Sequence, residues 1–269
     1  PKLLILCFGV WLYAADSTLV ATVMPSVVDE IGGLPYLSWT YTLYQLGSVV
    51  TGAVMGLLVL RSGIPRASST SGIFYILGCC LSGYAPDMDT MILGRLLQGM
   101  GGGGLVSIAF IGASTLFPKK LWVRIIAVIS GVWGSSALCG PLIGGYFVSS
   151  GNWRGAFWVF AFQGLIAVLA GLLLLKSHSH KENPIVQKIP YIRLGILSLS
   201  VLTICQSGVM RDSYPAFILW ILGLILLILF LKQDFDSENK IFPKETVNPL
   251  TPSGSGLLML SAFFMATIS

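Results

Sequence analysis

Apolar residues fill eight long stretches of this 269-residue chain, and polar residues cluster in the short segments between them. A run of about 20 apolar residues is long enough to cross a hydrocarbon core of ~30 Å as an α-helix. The apolar helices of soluble proteins are instead interrupted by polar positions every few residues. The pattern predicts an all-α polytopic membrane protein with spans at residues 3–28, 36–60, 67–86, 90–117, 121–150, 153–175, 191–210 and 214–231.

The polar breaks predict how these helices are grouped. Short loops join the first six spans, which favours antiparallel neighbours in one bundle, whereas the later breaks are longer and contain prolines. The final apolar run is too short to span a membrane, and the chain begins with Pro1, so we interpret it as part of a longer protein. The expected segments are a six-helix N-terminal bundle at 1–175, a cytoplasmic linker at 176–190, an extra two-helix hairpin at 191–231, a cytoplasmic connection at 232–256, and the truncated start of a C-terminal bundle at 257–269.

Composition and charge agree with this interpretation. The chain is 55% hydrophobic and 10% charged, whereas soluble domains are about 45–50% apolar and 25% charged. Nearly all of the 16 basic residues fall on one side of the predicted membrane; Arg154 and Arg211 fall on the other side, and Arg95 lies within a span. This positive-inside distribution predicts a cytoplasmic N-terminus, and it explains the net charge without a nucleic-acid surface. We expect a multi-pass protein of the cell membrane, and the favoured location is a bacterial inner membrane.

Two ionisable residues stand out within the predicted spans. Asp16 lies near the middle of the first span, and Arg95 lies roughly 9 Å into the fourth, so the two side chains could meet. Gln98 shares a helical face with Arg95. A charge near the bilayer centre costs about 2.5–3.5 kcal/mol on insertion scales, which makes such residues functional candidates. Two interpretations stay open: a structural ion pair between helices, or a protonation switch in which proton release and solute binding exclude each other.

Glycines are concentrated in the fourth and fifth spans. Gly99, Gly101 and Gly104 spell the G-x-G-x-x-G fingerprint, but they lie inside an apolar span and not between a strand and a helix, which excludes a dinucleotide site. We expect them to let another helix approach closely. In the fifth span Pro141 removes a backbone hydrogen bond, which is compatible with either bending or tight packing alone. The small-residue stripe there comprises Gly131, Gly134, Gly140, Gly144 and Gly145.

Other chemistries find little support. His178 and His180 alternate in a polar segment and are expected to be solvated, not metal ligands. The cysteines lie in apolar spans and are expected to be small buried hydrophobes. The first apolar run is longer than the core of a secretory signal peptide and contains Asp16, so we interpret it as a membrane span and not as a signal peptide. The spans hold no histidine and no second central carboxylate, so we predict no catalytic residue, no metal and no cofactor. Aromatic residues that could line a pocket for flat cations, or simply pack, are Trp11, Tyr13, Tyr41, Tyr44 and Trp133.

Four stretches together resemble the major facilitator superfamily, most closely its fourteen-helix drug:proton antiporter branch. The first-helix motif is matched by "ADSTLVATVMP", with Asp16, Thr18 and Pro25. The Arg-x-x-Gln-Gly motif of helix four is matched by Arg95, Gln98 and Gly99. The antiporter motif of helix five is matched by Gly140, Pro141, Gly144 and Gly145, with Ala127 and Ser136 at its upstream glycine positions. The stretch "NWRGAF" is similar to the family's Trp-Arg-Trp-x-Phe, with Gly155 in place of the second Trp.

One motif departs from the family. The loop between helices two and three, "GLLVLRSGIPR", keeps Gly56, Arg61 and Gly63 but has Leu60 where the family has Asp. Ile64 and Pro65 stand where the family has a basic pair. In the family this loop helps to latch the cytoplasmic gate, so the departure puts that latch in question here.

The resemblance implies a proton-coupled efflux antiporter that works by alternating access in the lipid bilayer. Asp16 would titrate the proton, Arg95 and Gln98 would couple it to the solute, with Tyr13 beside them in the cavity, and the helix-five motif would shape the rocking interface. The expected partners are protons and a small organic solute, which is a drug, a cation or a small metabolite such as a siderophore. The alternatives are a symporter or uniporter of the same fold, or a non-transporting membrane receptor, scaffold or intramembrane enzyme.

Overall fold

A computed structural model describes residues 2–175, 190–209 and 213–237. Each α-helix in this part of the chain is long and apolar enough to cross a membrane, and no strand occurs there. The predicted all-α, multi-pass fold class is confirmed. The helices are α1 (Lys2–Ile31), α2 (Leu37–Tyr84), α3 (Met88–Thr115), α4 (Trp122–Ser149), α5 (Trp153–Leu174), α6 (Tyr191–Val209) and α7 (Ser213–Phe235).

Helix α2 contains two of the predicted spans. Its 48 residues would extend about 72 Å in a straight line, more than twice the ~30 Å hydrocarbon core. Gly63 interrupts it with φ 78° and ψ 161°, a backbone conformation that is essentially restricted to glycine. We call residues 37–62 the first arm and residues 64–84 the second arm.

The polar loop expected between these two spans is much shorter than predicted. Gly63 alone has non-helical backbone angles, and the helix resumes immediately after it. Pro65 fits there because the first N–H groups of a helix have no acceptor within the helix, so a proline costs nothing at that position. The sequence "RSGIPR" therefore forms a sharp reversal between two helices and not an extended loop.

Contacts along α3 show the direction of each arm. Gly99 of α3 lies against Tyr44 of the first arm. One turn later Gly103 lies against Ser48, so α3 and the first arm run parallel.

The second arm meets α3 in the reverse order. Gly94 lies against Ser82, and Gly104, farther along α3, lies against Ser71, which is earlier in α2. The second arm is therefore antiparallel to α3 and to the first arm, as required of two consecutive membrane crossings.

Helix α1 lies at the centre of this bundle. Leu12, Ala15, Leu19, Val20 and Val23 of α1 are all completely buried. The helices packed around α1 are α3, α4 and α5. Since α1 is enclosed on several sides, most of its surface is shielded from lipid and solvent by the other helices. This arrangement places the midpoint of α1, and with it Asp16, inside the protein.

The chain divides into two compact units, Pro1–Ile185 and Val186–Ser269. In the second unit α6 and α7 form an antiparallel hairpin, in which the Ser200 hydroxyl donates to the Gly223 carbonyl at 2.8 Å. Arg193, near the start of α6, pairs with Asp234, near the end of α7, and also donates to the Ser237 hydroxyl at 2.7 Å. The apolar run at 257–269 and most of the two polar segments that were predicted to be linkers lie outside the described residues.

Candidate functional site

Asp16 and Arg95 form an ion pair inside the six-span unit. Nη1 of Arg95 lies 2.9 Å from Oδ2 of Asp16, and the two side chains are only 0–1% exposed. Asp16 follows the start of α1, Lys2, by 14 positions and precedes its end, Ile31, by 15, so it lies at the middle of the helix. The contact predicted between these two residues is present.

The Gln98 side chain bridges the pair to the second arm of α2. Its Oε1 accepts from Nη1 of Arg95 at 3.0 Å and from the Ser82 hydroxyl, also at 3.0 Å. Its Nε2 donates to Sγ of Cys79 at 3.1 Å and, more distantly, to Oδ1 of Asp16 at 3.5 Å. Gln98, Ser82 and Cys79 are completely buried. The amide thus has an acceptor side facing donors and a donor side facing acceptors.

Tyr44 covers the other side of the Arg95 guanidinium. The guanidinium carbon lies 4.0 Å from the centre of the Tyr44 ring, a cation–π contact that is strongest where both groups are removed from water. The Tyr44 hydroxyl donates to the Tyr13 carbonyl at 2.9 Å, and the two rings stack with centroids 5.3 Å apart. The Tyr13 ring in turn packs against the Trp133 ring of α4, with ring centroids 5.7 Å apart. The Tyr13 hydroxyl donates to Oε1 of Gln45 at 2.8 Å. These aromatic residues connect the ion pair to α4.

One nitrogen of Arg95 is left without a partner. Nε is buried and makes no hydrogen bond to the described protein atoms. Leaving a buried donor unsatisfied costs about 1–3 kcal/mol. Binding of a water molecule or of an acceptor on a solute to this nitrogen would remove that cost.

Glycines set the distances on which this site depends. A Cβ at Gly99 would lie 2.0 Å from the Tyr44 carbonyl oxygen, and a Cβ at Gly78 would lie 2.4 Å from the Gln98 backbone nitrogen. Only hydrogen fits at either position, so α3 can lie directly against both arms of α2. The prediction that Gly99, Gly101 and Gly104 let another helix approach is confirmed, because a Cβ at each would lie within 2.4 Å of an atom of α2. The close approach brings Arg95 and Gln98 within reach of their partners.

The antiporter-motif residues on α4 do not all face the same way. Gly140 lies against Thr18 of α1, and Gly144 lies against Leu19 and Thr22. The Thr18 hydroxyl lies 3.1 Å from the Ser136 carbonyl across this contact and within hydrogen-bonding distance of Ala14 and Ala15 carbonyls on its own helix. By contrast, a Cβ at Gly131, Gly134 or Gly145 would meet nothing within 4 Å, and Pro141 is exposed on a helix that continues through it. The predicted stripe therefore consists of a packed seam, Gly140 and Gly144, and glycines that face away from the described helices.

The gate-loop residues lie apart from the ion pair. Gly56, Arg61 and Gly63 are grouped around the reversal in α2, at the end of the bundle where α1 begins. Leu60, in the position of the family's Asp, is 64% exposed, whereas Ile64 is buried. The structure does not bring this motif together with Asp16.

A polar cluster that sequence reasoning did not assign joins three helices at the opposite end. Trp153 donates from Nε1 to Oε2 of Glu30 at 2.6 Å, and Arg154 pairs with Oε1 of the same carboxylate. Arg154 also donates to the Ala85 carbonyl at 3.0 Å and lies over the Trp153 ring. The matching "NWRGAF" stretch was the only signal in the sequence, and it did not indicate Glu30 as the partner.

Ser82 and Cys79 were also missed as parts of the central site. Serine is common in membrane helices and gives no signal by itself, and Cys79 was expected to be a small hydrophobe. It is buried, as expected, and its thiol is free, but it also accepts a hydrogen bond from Gln98. No group of histidine, cysteine and carboxylate side chains that could hold a metal occurs among the described residues, which do not include His178 and His180.

Comparison with known proteins agrees with the arrangement of helices and motifs. A family model described as Major Facilitator Superfamily matches residues 6–269. A probable multidrug-efflux transporter of Mycobacterium tuberculosis is 36% identical over 172 residues, which are 64% of this chain and 36% of that protein. The multidrug transporter protein MdtP of Bacillus subtilis is 29% identical over 264 residues, which are 97% of this chain and 48% of that protein. The chain thus spans about half the length of these relatives or less.

A solved structure shows the same fold. The xylose transporter XylE from E. coli, in an inward-open conformation, superposes with a TM-score of 0.56 at 13% sequence identity. The match covers 99% of this chain and 78% of that chain. Because the family model matches nearly the whole sequence, this chain belongs to the Major Facilitator Superfamily, whose members are membrane transporters and not enzymes.

Proposed function

We propose that this chain forms part of a proton-coupled efflux antiporter that exports drugs or another small organic solute by alternating access. The observation that carries the proposal is the ion pair between Asp16 and Arg95, buried at the middle of α1. Asp16 is the proton-binding group, and Arg95 and Gln98 link its charge to the packing of α3 against α1.

A purely structural role explains this ion pair poorly. Replacing a buried ion pair by apolar residues is often neutral, or stabilising by about 1–4 kcal/mol, whereas removing one partner costs about 3–5 kcal/mol. The pair is therefore a weak source of stability and a strong source of sensitivity to charge. When Asp16 takes up a proton, Arg95 loses its counter-ion and must find another partner or move.

This response of Arg95 to the protonation of Asp16 couples proton binding to solute binding. In the described conformation the two side chains are closed off from solvent, so a proton can reach Asp16 only if the bundle opens. Opening the contact between α1 and α3 also exposes the Arg95 guanidinium, with its unpartnered Nε, and the rings of Tyr44 and Tyr13. A flat aromatic solute with a hydrogen-bond acceptor fits these groups, which supports drug-like substrates as in the named relatives.

The other matched motifs take supporting roles in the proposal. Gly140 and Gly144 hold α4 on α1 next to Asp16, so movement at the ion pair is passed to α4. With Pro141 and Gly145, they form the antiporter-motif helix that shapes the rocking interface. Gly56, Arg61 and Gly63 form the gate region on the cytoplasmic side, together with the N-terminus, and the distribution of basic residues supports this orientation. The membrane is proposed to be the cell membrane.

Proton flux in vesicles tests the proposal. The full-length protein is reconstituted with an inside pH indicator, and norfloxacin, a flat aromatic solute with carbonyl acceptors, is added as the solute. We expect the solute to drive protons in the opposite direction, and Asp16→Asn to abolish this coupling because the amide cannot release a proton. Asp29→Asn, which changes an exposed carboxylate on the same helix, is the matched control and should couple normally.

Each other outcome points to a different function. Normal coupling by Asp16→Asn would show that Asp16 does not carry the proton. Protons moving in the same direction as the solute would indicate a symporter, and solute movement without protons would indicate a uniporter. If none of a panel of cationic and neutral solutes moved in either direction, a receptor or scaffold would be favoured.

A further inference from the structure

The orientation of the Gln98 amide is determined by one residue of the family motifs, Arg95, and by one residue outside them, Ser82. Two donors, Nη1 of Arg95 and the Ser82 hydroxyl, meet its Oε1, each at 3.0 Å. The amide nitrogen is thereby turned toward Oδ1 of Asp16, at 3.5 Å, and toward Sγ of Cys79, at 3.1 Å.

This orientation matters for the proton on Asp16. An N–H group facing a carboxylate stabilises the ionised form, whereas a carbonyl oxygen in the same place accepts from the protonated form and stabilises that instead. Rotating the amide by half a turn exchanges one for the other at almost unchanged shape. Whatever holds the amide in place therefore contributes to the pH at which Asp16 exchanges its proton.

Of the two donors to Oε1, only Ser82 is independent of the ion pair. Arg95 must leave or change partner when Asp16 is neutralised, so its hold on Gln98 varies through the transport cycle. Ser82 lies on the second arm, where Gly94 and Gly78 keep α2 in direct contact with α3. Its hydroxyl stays beside Gln98 as long as these two helices remain packed.

We infer that Ser82 is a positioning residue, which keeps the Gln98 N–H directed at Asp16 and so sets the pH at which Asp16 binds its proton. This inference rests on the proposed function, because it assumes that Asp16 titrates during transport. Cys79, on the same arm, supports the same orientation by accepting from Nε2.

The surroundings of Asp16 contain other groups that affect the same equilibrium. α4 meets α1 beside Asp16 with Gly140 and the Ser136 carbonyl, and α5 meets α1 with Gln163, none of which titrates. The titratable or charged groups that interact electrostatically with Asp16 are Tyr13 on α1, Arg95 on α3, Tyr44 on the first arm, and Tyr75 and Cys79 on the second arm. The test therefore changes Ser82, which carries no charge, and leaves all of them in place.

Infrared difference spectroscopy of the full-length protein, titrated with acid, measures Asp16 directly. The protonated carboxyl of Asp16 is identified as the carbonyl band that disappears in Asp16→Asn. We expect Ser82→Ala to move the midpoint of this band toward higher pH by about half a unit, roughly a threefold gain in proton affinity. Ser82→Cys, which keeps a weaker donor, should produce a smaller shift.

A matched control separates this effect from packing. Ser71→Ala makes the same change on the same arm, at a residue that is also buried and also lies against an α3 glycine, Gly104, but is not in contact with Gln98. It should leave the midpoint unchanged. Thermal unfolding of each variant shows that the protein is folded.

The outcomes distinguish the inference from the function on which it rests. A Ser82→Ala midpoint equal to that of the unmodified protein, or an equal shift in Ser71→Ala, would overturn the role of Ser82 while leaving Asp16 as the proton carrier. If no carboxyl band were lost in Asp16→Asn, Asp16 would not titrate, and the proposed function would fail together with the inference.

Discussion

A methyl group added at Gly99 should force α3 away from the first arm of α2. The Cβ of Gly99→Ala would lie 2.0 Å from the Tyr44 carbonyl oxygen and 2.7 Å from its carbonyl carbon. Carbon–oxygen contacts of this kind are normally about 3.3 Å or longer. The Tyr44 carbonyl belongs to a helix backbone, and the added Cβ is attached directly to another helix backbone, so no rotation of a side chain relieves the overlap. The helices must separate by more than about 1 Å.

The expected cost follows from the packing that is lost. Overpacking a tight interface costs about 1–3 kcal/mol, and a backbone-to-backbone clash belongs at the upper end of that range. The shift also moves the Tyr44 ring from the Arg95 guanidinium, now 4.0 Å away, a contact worth about 2 kcal/mol when desolvated. We expect Gly99→Ala to lower the free energy of unfolding by about 3 kcal/mol or more.

Gly52→Ala is the matched control, because Gly52 lies on the first arm at the same interface. The nearest atom to its Cβ would be the Ser107 hydroxyl oxygen at 3.1 Å, which can rotate away. Thermal unfolding of the full-length protein in detergent compares the two variants. Gly52→Ala should melt close to the unmodified protein, and Gly99→Ala well below it. Equal melting temperatures would show that the close backbone approach does not determine the stability of this interface.

Two further predictions concern charged groups. Arg95→Ala should reduce transport per molecule more than protein abundance. The lone Asp16 can bind a proton and become neutral, which lowers the cost of about 3–5 kcal/mol for an unpaired buried charge. Equal losses of transport and abundance, measured by vesicle uptake and immunoblotting, would favour a structural ion pair. The Thr90 backbone N–H, 2.8 Å from Oδ1 of Asp87, holds the pKa of that carboxyl below its ordinary value. The cap that Asp87 forms on α3 should persist above the ordinary Asp pKa and weaken as the pH falls through the lowered pKa of Asp87. Faster amide exchange in the first turn of α3 would report this loss. Asp87→Asn should remove the pH dependence.

The spans and the central ion pair could be predicted from sequence because each depends on one strong physical effect. An apolar run of sufficient length has few alternatives to a membrane helix, and the cost of a buried charge requires a partner for Asp16. Arg95 was the only basic residue assigned to the membrane interior and not to one of its two sides, so the choice of partner was narrow.

The partners of Gln98 were beyond the reach of such reasoning. Ser82 and Cys79 are 16 and 19 positions away from Gln98 along the chain, on a different helix, and neither residue type is unusual in an apolar span. The rotation of each helix about its axis decides which of many small polar side chains meet. That rotation depends on packing against all the neighbouring helices together.

The amino-acid sequence by itself determined where the helices lie, their alternation across the membrane, and which ionisable residues need a partner. These properties follow from local hydrophobicity and from the cost of burying charge, both of which act residue by residue. Tertiary structure alone decided that Gly63 makes the whole reversal in α2, that Gly140 and Gly144 pack while Gly145 does not, and that the Ser82 hydroxyl meets the Gln98 amide. The reason is that helices in a membrane pack through short-range contacts of small residues, which exist only once several helices are in place.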